Sequence, residues 1–240
     1  MTKTNIKQNW VDQIVKIPAN GIKLEGALVI PSDAKGVVLF AHGSGSSRHS
    51  PRNNFVAQML HDAGLGTLLM DLLTREEDST YENRFDIDLL TWRLERASQW
   101  VMEQPESRAF DIGYFGASTG AAAALQAAAT FGSSVGAVVS RGGRPDLAMS
   151  ALNRVQSPTL LIVGGLDDIV IDLNREAYGK LKAEKQLAIV PGATHLFEEP
   201  GTLQEVARLA ADWFKRYLGI QRVQADSPNR ERARKTAAPS

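Results

Sequence analysis

Cysteine is missing from the sequence altogether, which removes disulfide bonds, a thiolate nucleophile and zinc sites built on cysteine, and leaves the redox compartment unmarked. Net charge is missing too: 27 Lys and Arg stand against 27 Asp and Glu. No global field therefore draws the chain to nucleic acid or to an anionic membrane, and any charged partner must be recognised locally. No stretch is long and apolar enough to span a bilayer, and the opening MTKTNIKQNWVDQ lacks the apolar core of a signal peptide. The expectation is a soluble cytoplasmic protein. There is no internal repeat. The glycine-rich AHGSGSS has Gly43 and Gly45 but neither a third glycine at dinucleotide spacing nor a Gly-Lys-Ser/Thr ending, which argues against the Rossmann and P-loop readings.

What is present fits one large α/β domain: 240 residues, 43% of them hydrophobic, are enough to bury a sizeable core. DQIVKIPANGIKLEGALVIP holds two strand-like stretches around Asn20-Gly21, a dipeptide suited to a type I′ hairpin turn. GVVLFAHG, LGTLLMDL, DIGYFG, VGAVVS, TLLIVGG and QLAIVP follow as short, continuously apolar, β-branched runs, the pattern of strands buried on both faces. Between them lie helical periods: PRNNFVAQMLHDAG, FDIDLLTWRLERASQWVMEQ, TGAAAALQAAATFG, LNREAYGKLKAE, with Asp172 as its N-cap, and TLQEVARLAADWFKRYLG. Alternation of this kind predicts a mainly parallel sheet covered on both faces, with ligands at the carboxyl ends of its strands. The domain is expected over residues 1–218. Residues 219–240, nearly without apolar side chains, are expected to be a disordered tail.

GYFGASTGAAAAL carries a Gly-x-Ser-x-Gly centred on Ser118, where a buried strand turns into a small-residue helix. Such a corner presents the serine hydroxyl above the sheet and aims the first helical N–H groups at the same point, while Gly116 and Gly120 relieve crowding. A nucleophile needs a base and an orienting acid. His195, in AIVPGATHLFEE beyond the last strand, can hang over the carboxyl edge; His42, His49 and His61 are poorer bases by position, His42 reading as a brace for its loop. Asp167 and Asp168 follow TLLIVGG, and on spacing alone either can orient the imidazole. For the oxyanion hole, the backbone N–H groups of Ser44 and Thr119 are the expected pair. Arg141 and Arg144, in VVSRGGRPDL, fall at the same edge. Each reads either as an anchor for an anionic substrate group or as an internal ion pair or solvated loop charge.

These residues resemble the α/β-hydrolase superfamily, and within it the dienelactone-hydrolase-like group, including hydrolase domains fused to or encoded beside phosphoribosyltransferases. The blocks that carry the resemblance are LFAHGSGSSRHSPRN, GYFGASTGAAAAL, VVSRGGRPDL, LLIVGGLDD and PGATHLFEEPG. It implies an eight-stranded sheet with the second strand antiparallel and a triad of Ser118, Asp167 and His195. The family spacing Gly-x-x-Asp-x-x-Val, on Gly164, Asp167 and Val170, favours Asp167 over Asp168. Dienelactone hydrolase itself uses a cysteine nucleophile, which this chain lacks, so its substrate is not carried over with the fold. No long insertion separates DIGYFG from TLLIVGG, so no large lid domain is expected; TREEDSTYENRF (74–85), read as irregular, is expected as a partial cover. The reading is a serine hydrolase of a small-molecule carboxylic ester or related acyl bond, needing no metal or cofactor, with a functional link to a phosphoribosyltransferase implied by the resemblance. Two alternatives stay open: an acyltransferase on the same triad, and a non-catalytic interaction domain.

Overall fold

The computed structural model describes residues 10–219. The chain opens with β1 (Val11–Ala19) and β2 (Ile22–Ile30), joined by Asn20 and Gly21 at φ of 48° and 84°, as a type I′ turn requires. There follow β3 (Gly36–Ala41), α1 (Pro51–Asp62), β4 (Gly66–Met70), α2 (Arg75–Asp78), a 3-10 turn (Tyr81–Phe85), α3 (Ile87–Glu103), β5 (Asp111–Ala117), α4 (Thr119–Phe131), β6 (Val135–Arg141), β7 (Thr159–Gly164), α5 (Asp168–Lys180), β8 (Lys185–Val190) and α6 (Thr202–Tyr217). The eight strands form one sheet in the order β1-β2-β4-β3-β5-β6-β7-β8. Only β2 runs against the rest: it pairs antiparallel with β1 and β4, and all other neighbours are parallel.

The strands β3, β4, β5, β6 and β7 are buried almost throughout because helices cover both faces. On one face α3, α4 and α5 enclose Leu39, Tyr114, Val138 and Leu161; on the other α1 and α6 enclose Phe40, Phe115, Val139 and Ile162. Local chemistry starts the helices where the sequence calls for it. Ser50 caps α1 by accepting from Asn53 N–H with Pro51 at the first position, and Asp86 caps α3 by accepting from Leu89 N–H. All the alanines of α4 except the partly exposed Ala129 are buried, and their small size lets the helix lie close against the sheet. No helix among the described residues is long and apolar enough to cross a membrane.

Three expectations need correction. Segment 74–85 is not irregular: Thr74 and Glu77 form a capping box that starts α2, and the 3-10 turn follows. Helix α5 begins at Asp168, so Asp172 is not its cap but an exposed residue inside it, bonded to Arg175; the β-branched run Ile169-Val170-Ile171 hides the first turn from a helical reading. Strand β8 is not buried on both faces, because as the last strand of the sheet it leaves Gln186 and Ile189 exposed. The expected tail, beyond Gly219, lies outside the described residues.

Candidate active site

Ser118 stands at the corner between β5 and α4 with φ 50° and ψ −122°, a backbone region that side chains other than glycine rarely adopt. Such a conformation costs on the order of 1–3 kcal/mol and persists only where its surroundings hold it. Here they do: Ser118 N–H donates to the Arg141 carbonyl at 3.3 Å, and its own carbonyl accepts from Arg144 N–H at 3.1 Å. Gly116 and Gly120 allow the close approach. A methyl group on Gly120 would overlap the Ala41 carbonyl oxygen, and one on Gly116 would overlap the backbone of Ala121.

The loop from Pro191 to Pro200 carries His195 to the same edge. Its Nδ1 lies 2.7 Å from Asp167 Oδ2. Asp167 stands at the N-cap position of α5 but makes no cap bond, and its carboxylate goes to the imidazole instead. Asp168 opens the helix as an exposed first-turn acid. The structure thus brings Asp167, and not Asp168, to His195. With the carboxylate on the Nδ1 side, the imidazole tautomer that bears its proton there leaves Nε2 as the basic nitrogen. Side chains tether the loop: Glu199 accepts from Thr194 N–H at 3.1 Å and from its hydroxyl at 2.6 Å, and Arg52 of α1 pairs with Glu198 at 2.7 Å. Phe197, buried at φ 57°, roots the loop in the core. Gly142, next to the carbonyl that receives Ser118 N–H, backs onto His195. Ser118 Oγ itself has no hydrogen-bond partner among the described residues. Bonds of this kind often tighten only once substrate is bound.

At the glycine-rich turn, Ser44 N–H donates to the Thr119 hydroxyl at 3.1 Å. The amide of Thr119, at the first position of α4, has no acceptor among the described residues. The two expected donors are therefore neighbours, but one is engaged by a side chain whose hydroxyl sequence reading gave no part. His42 braces this turn from behind: its Nδ1 is 3.0 Å from the Gly43 carbonyl and its Nε2 accepts from Leu72 N–H at 3.0 Å. Burial pushes its pKa down, which suits a neutral imidazole that donates on one side and accepts on the other. The segment of α2 and the 3-10 turn covers the turn, with Arg84 and Asp78 near Gly45, and beyond it opens a cleft of about 440 Å³ between Lys23, Arg48, His49 and Arg75.

The two arginines have different surroundings. Arg144 forks onto Asp146, Nε to Oδ1 at 2.9 Å and Nη2 to Oδ2 at 2.7 Å, and these bonds push its pKa up. Arg141 is buried, with Nη2 3.4 Å from Asn53 Oδ1 and its guanidinium over the Phe197 ring at 5.8 Å. Among the described residues no three His, Asp or Glu side chains are grouped to hold a metal ion. Sequence reading missed Arg52, Asn53, Glu199 and Asn174, whose side-chain amide fastens the Gly143 carbonyl at 3.0 Å. Only the cap and proline at Ser50-Pro51 hinted that α1 would begin beside the site.

The sequence model of the dienelactone hydrolase family matches residues 24–220. A crystal structure of a dienelactone hydrolase from Anabaena variabilis is 55% identical, covers 87% of this chain and 99% of its own, and superposes with a TM-score of 0.85. Est1E from Butyrivibrio proteoclasticus, 15% identical over 85% of this chain and 98% of its own with a TM-score of 0.73, shares the fold. Provisionally named phosphoribosyl transferases of two Mycobacterium tuberculosis strains are 55% identical over 86% of this chain. The chain spans about half the length, 47%, of those curated relatives. By the extent of the family match and by its identity to a solved member along nearly that member's whole length, the chain belongs to the dienelactone hydrolase family and has the α/β-hydrolase fold.

Proposed function

We propose that the protein is a serine hydrolase that cleaves a carboxylic ester or related acyl bond through an acyl-enzyme on Ser118. The observation that carries this reading is the 2.7 Å contact of Asp167 with His195 on a loop that abuts Gly142, the residue after the Arg141 carbonyl that holds the strained Ser118. In the proposed sequence His195 Nε2 takes the proton of Ser118 as its oxygen attacks the carbonyl carbon. Asp167 holds the imidazole and stabilises its cation. The Thr119 amide, at the positive end of α4, and the Ser44 amide, once released from the Thr119 hydroxyl, receive the negative oxygen. His195 then protonates the leaving group, and a water molecule activated by the same imidazole frees the acid. Ser118→Ala should lower hydrolysis of p-nitrophenyl acetate by about a thousandfold or more with an unchanged far-UV circular dichroism spectrum. Turnover retained by that variant would overturn the assignment.

The curated relatives are about twice as long as the matched region and are named phosphoribosyl transferases. On that ground the proposal extends to a partnership between this hydrolase unit and a phosphoribosyltransferase, tested by co-purification of the two from the native cell. A cytoplasmic location goes with this reading and is checked by cell fractionation.

A further inference from the structure

Two arginines of the described chain are less than a tenth exposed, Arg93 and Arg141. Arg93 has a carboxylate, Glu77, and the Ala19 carbonyl. Arg141 has no carboxylate. A guanidinium offers five N–H donors, yet the one acceptor it meets is Asn53 Oδ1 at 3.4 Å, long for such a bond; its Nε is buried without an acceptor, as is that of Arg93, but Arg93 has its carboxylate and Arg141 has none. The groups packed around it offer no compensation in kind. The first turn of α1 contributes Arg52, a second cation, whose own Nε is also buried without an acceptor. Phe197 contributes an aromatic face, and the acid next to it, Glu198, is exposed and already taken by Arg52. Buried charges in proteins are almost always paired, because an unpaired one forfeits its hydration for nothing.

The backbone at the same place lacks an acceptor as well. In the first turn of α1, Pro51 has no N–H, Asn53 N–H goes to the Ser50 hydroxyl and Asn54 N–H to the Ser50 carbonyl, which leaves the Arg52 amide unmatched among the described residues. A helix start, an exposed-to-buried pair of guanidinium groups and an amide side chain thus converge with a surplus of donors. Burial and the charge of Arg52 pull the Arg141 pKa down to about 10, which still leaves it charged at neutral pH. Its position relative to the chemistry is close: its carbonyl receives Ser118 N–H, and the next residue, Gly142, abuts His195.

We infer that Arg141, with Arg52 and Asn53, forms a binding site for an anionic oxygen group, a carboxylate or a phosphate, beside Ser118 and His195. Arg144 takes no part, since Asp146 already fills its fork. As a site for the substrate's own anionic group, this rests on the hydrolase reading above and narrows it to acidic esters. As a site for a free anion, it stands without that reading.

The test has two arms. In the first, thermal unfolding is followed at constant ionic strength as sodium gluconate is replaced by sodium phosphate. Wild type should gain about 3 °C or more, Ser118→Ala should gain the same, and Arg141→Met should gain nothing. In the second, kcat/KM is compared for p-nitrophenyl hemisuccinate and p-nitrophenyl butyrate. Arg141→Met should lower the ratio of the charged to the neutral ester at least tenfold, through KM, and Arg141→Lys should recover part of it. A phosphate response without a change of ratio identifies a free anion as the occupant, and a change of ratio identifies the substrate. Equal responses of wild type and Arg141→Met in both arms would overturn the proposal. Should Arg141→Met fail to fold, Arg52→Met, at a partly exposed position, gives the same two readings. Loss of the Ser118 assignment leaves the first arm intact, so the two failures are told apart.

Discussion

The corner of Ser118 and the loop of His195 meet at one edge of the sheet, but they are held by opposite means. The corner is a backbone structure. Its strained residue is fixed by two main-chain hydrogen bonds, and its neighbours are glycines because the backbones of β3 and α4 leave no space for a methyl group. The loop is a side-chain structure: it leans on Glu199, on the pair of Arg52 with Glu198, on the root of Phe197 and on the bond from His195 to Asp167. One is positioned by exclusion, the other by attachment. A close-packed interior has two outcomes, fitting or not, whereas tethers can be cut singly and the loop shifted by degrees.

Substitutions can break that contrast. The largest effect is expected on the attached side: Asp167→Asn should reduce kcat for p-nitrophenyl esters by roughly 10³- to 10⁴-fold through the wrong tautomer, with the melting temperature nearly unchanged. Next, on the packed side, Gly120→Ala should destabilise the fold by about 3 kcal/mol, or roughly 6 to 12 °C in the melting temperature. A Gly120→Ala protein that melts like wild type would show that the corner is not sterically fixed. Smaller again, Glu199→Ala should cut kcat roughly three- to tenfold by loosening the loop, while chemical denaturation registers a change within about 0.5 kcal/mol. A stability loss as large as that of Gly120→Ala would erase the distinction.

The smallest effect concerns the brace. Burial lowers the pKa of His42 in the folded protein below its ordinary value of 6.5, so below that pH the unfolded chain binds a proton that the folded chain refuses. Stability therefore falls as pH falls through that value, by at most about 1.4 kcal/mol per pH unit for one such group. In His42→Gln, which can still donate to Gly43 and accept from Leu72, the slope of melting temperature between pH 6.5 and 5 should be shallower. His61, whose pKa is also lowered by burial, keeps its share of the slope.

The same contrast governs what could be read beforehand. The corner was legible because exclusion leaves a local mark: a serine between glycines, a buried strand before it, alanines after it. The parallel core was legible for a similar reason, since strands covered on both faces must be apolar throughout. Asp167 and Asp168 were equal by residue spacing and were separated only by the resemblance to relatives, because which of two adjacent carboxylates turns inward depends on where α5 begins. The tethers were illegible. Arg52 and Glu198 are 146 positions apart, and nothing in either neighbourhood announces the other. The hydroxyl of Thr119 was missed because a residue chosen for its amide also happened to face Ser44.

The short cover over the glycine-rich turn has a kinetic consequence. Thr74 and Glu77 cap each other, Glu77 also pairs with Arg93 of α3, Arg84 forks onto Asp78, and Asn83 donates to the Glu77 carbonyl. A roof cross-tied to itself and to a core helix resists a hinged swing, so the hydrolase proposed above is expected to turn over without a lid motion. Under that proposal solvent viscosity should leave kcat for p-nitrophenyl esters where it was, and a kcat that falls in proportion to viscosity would show that the roof moves.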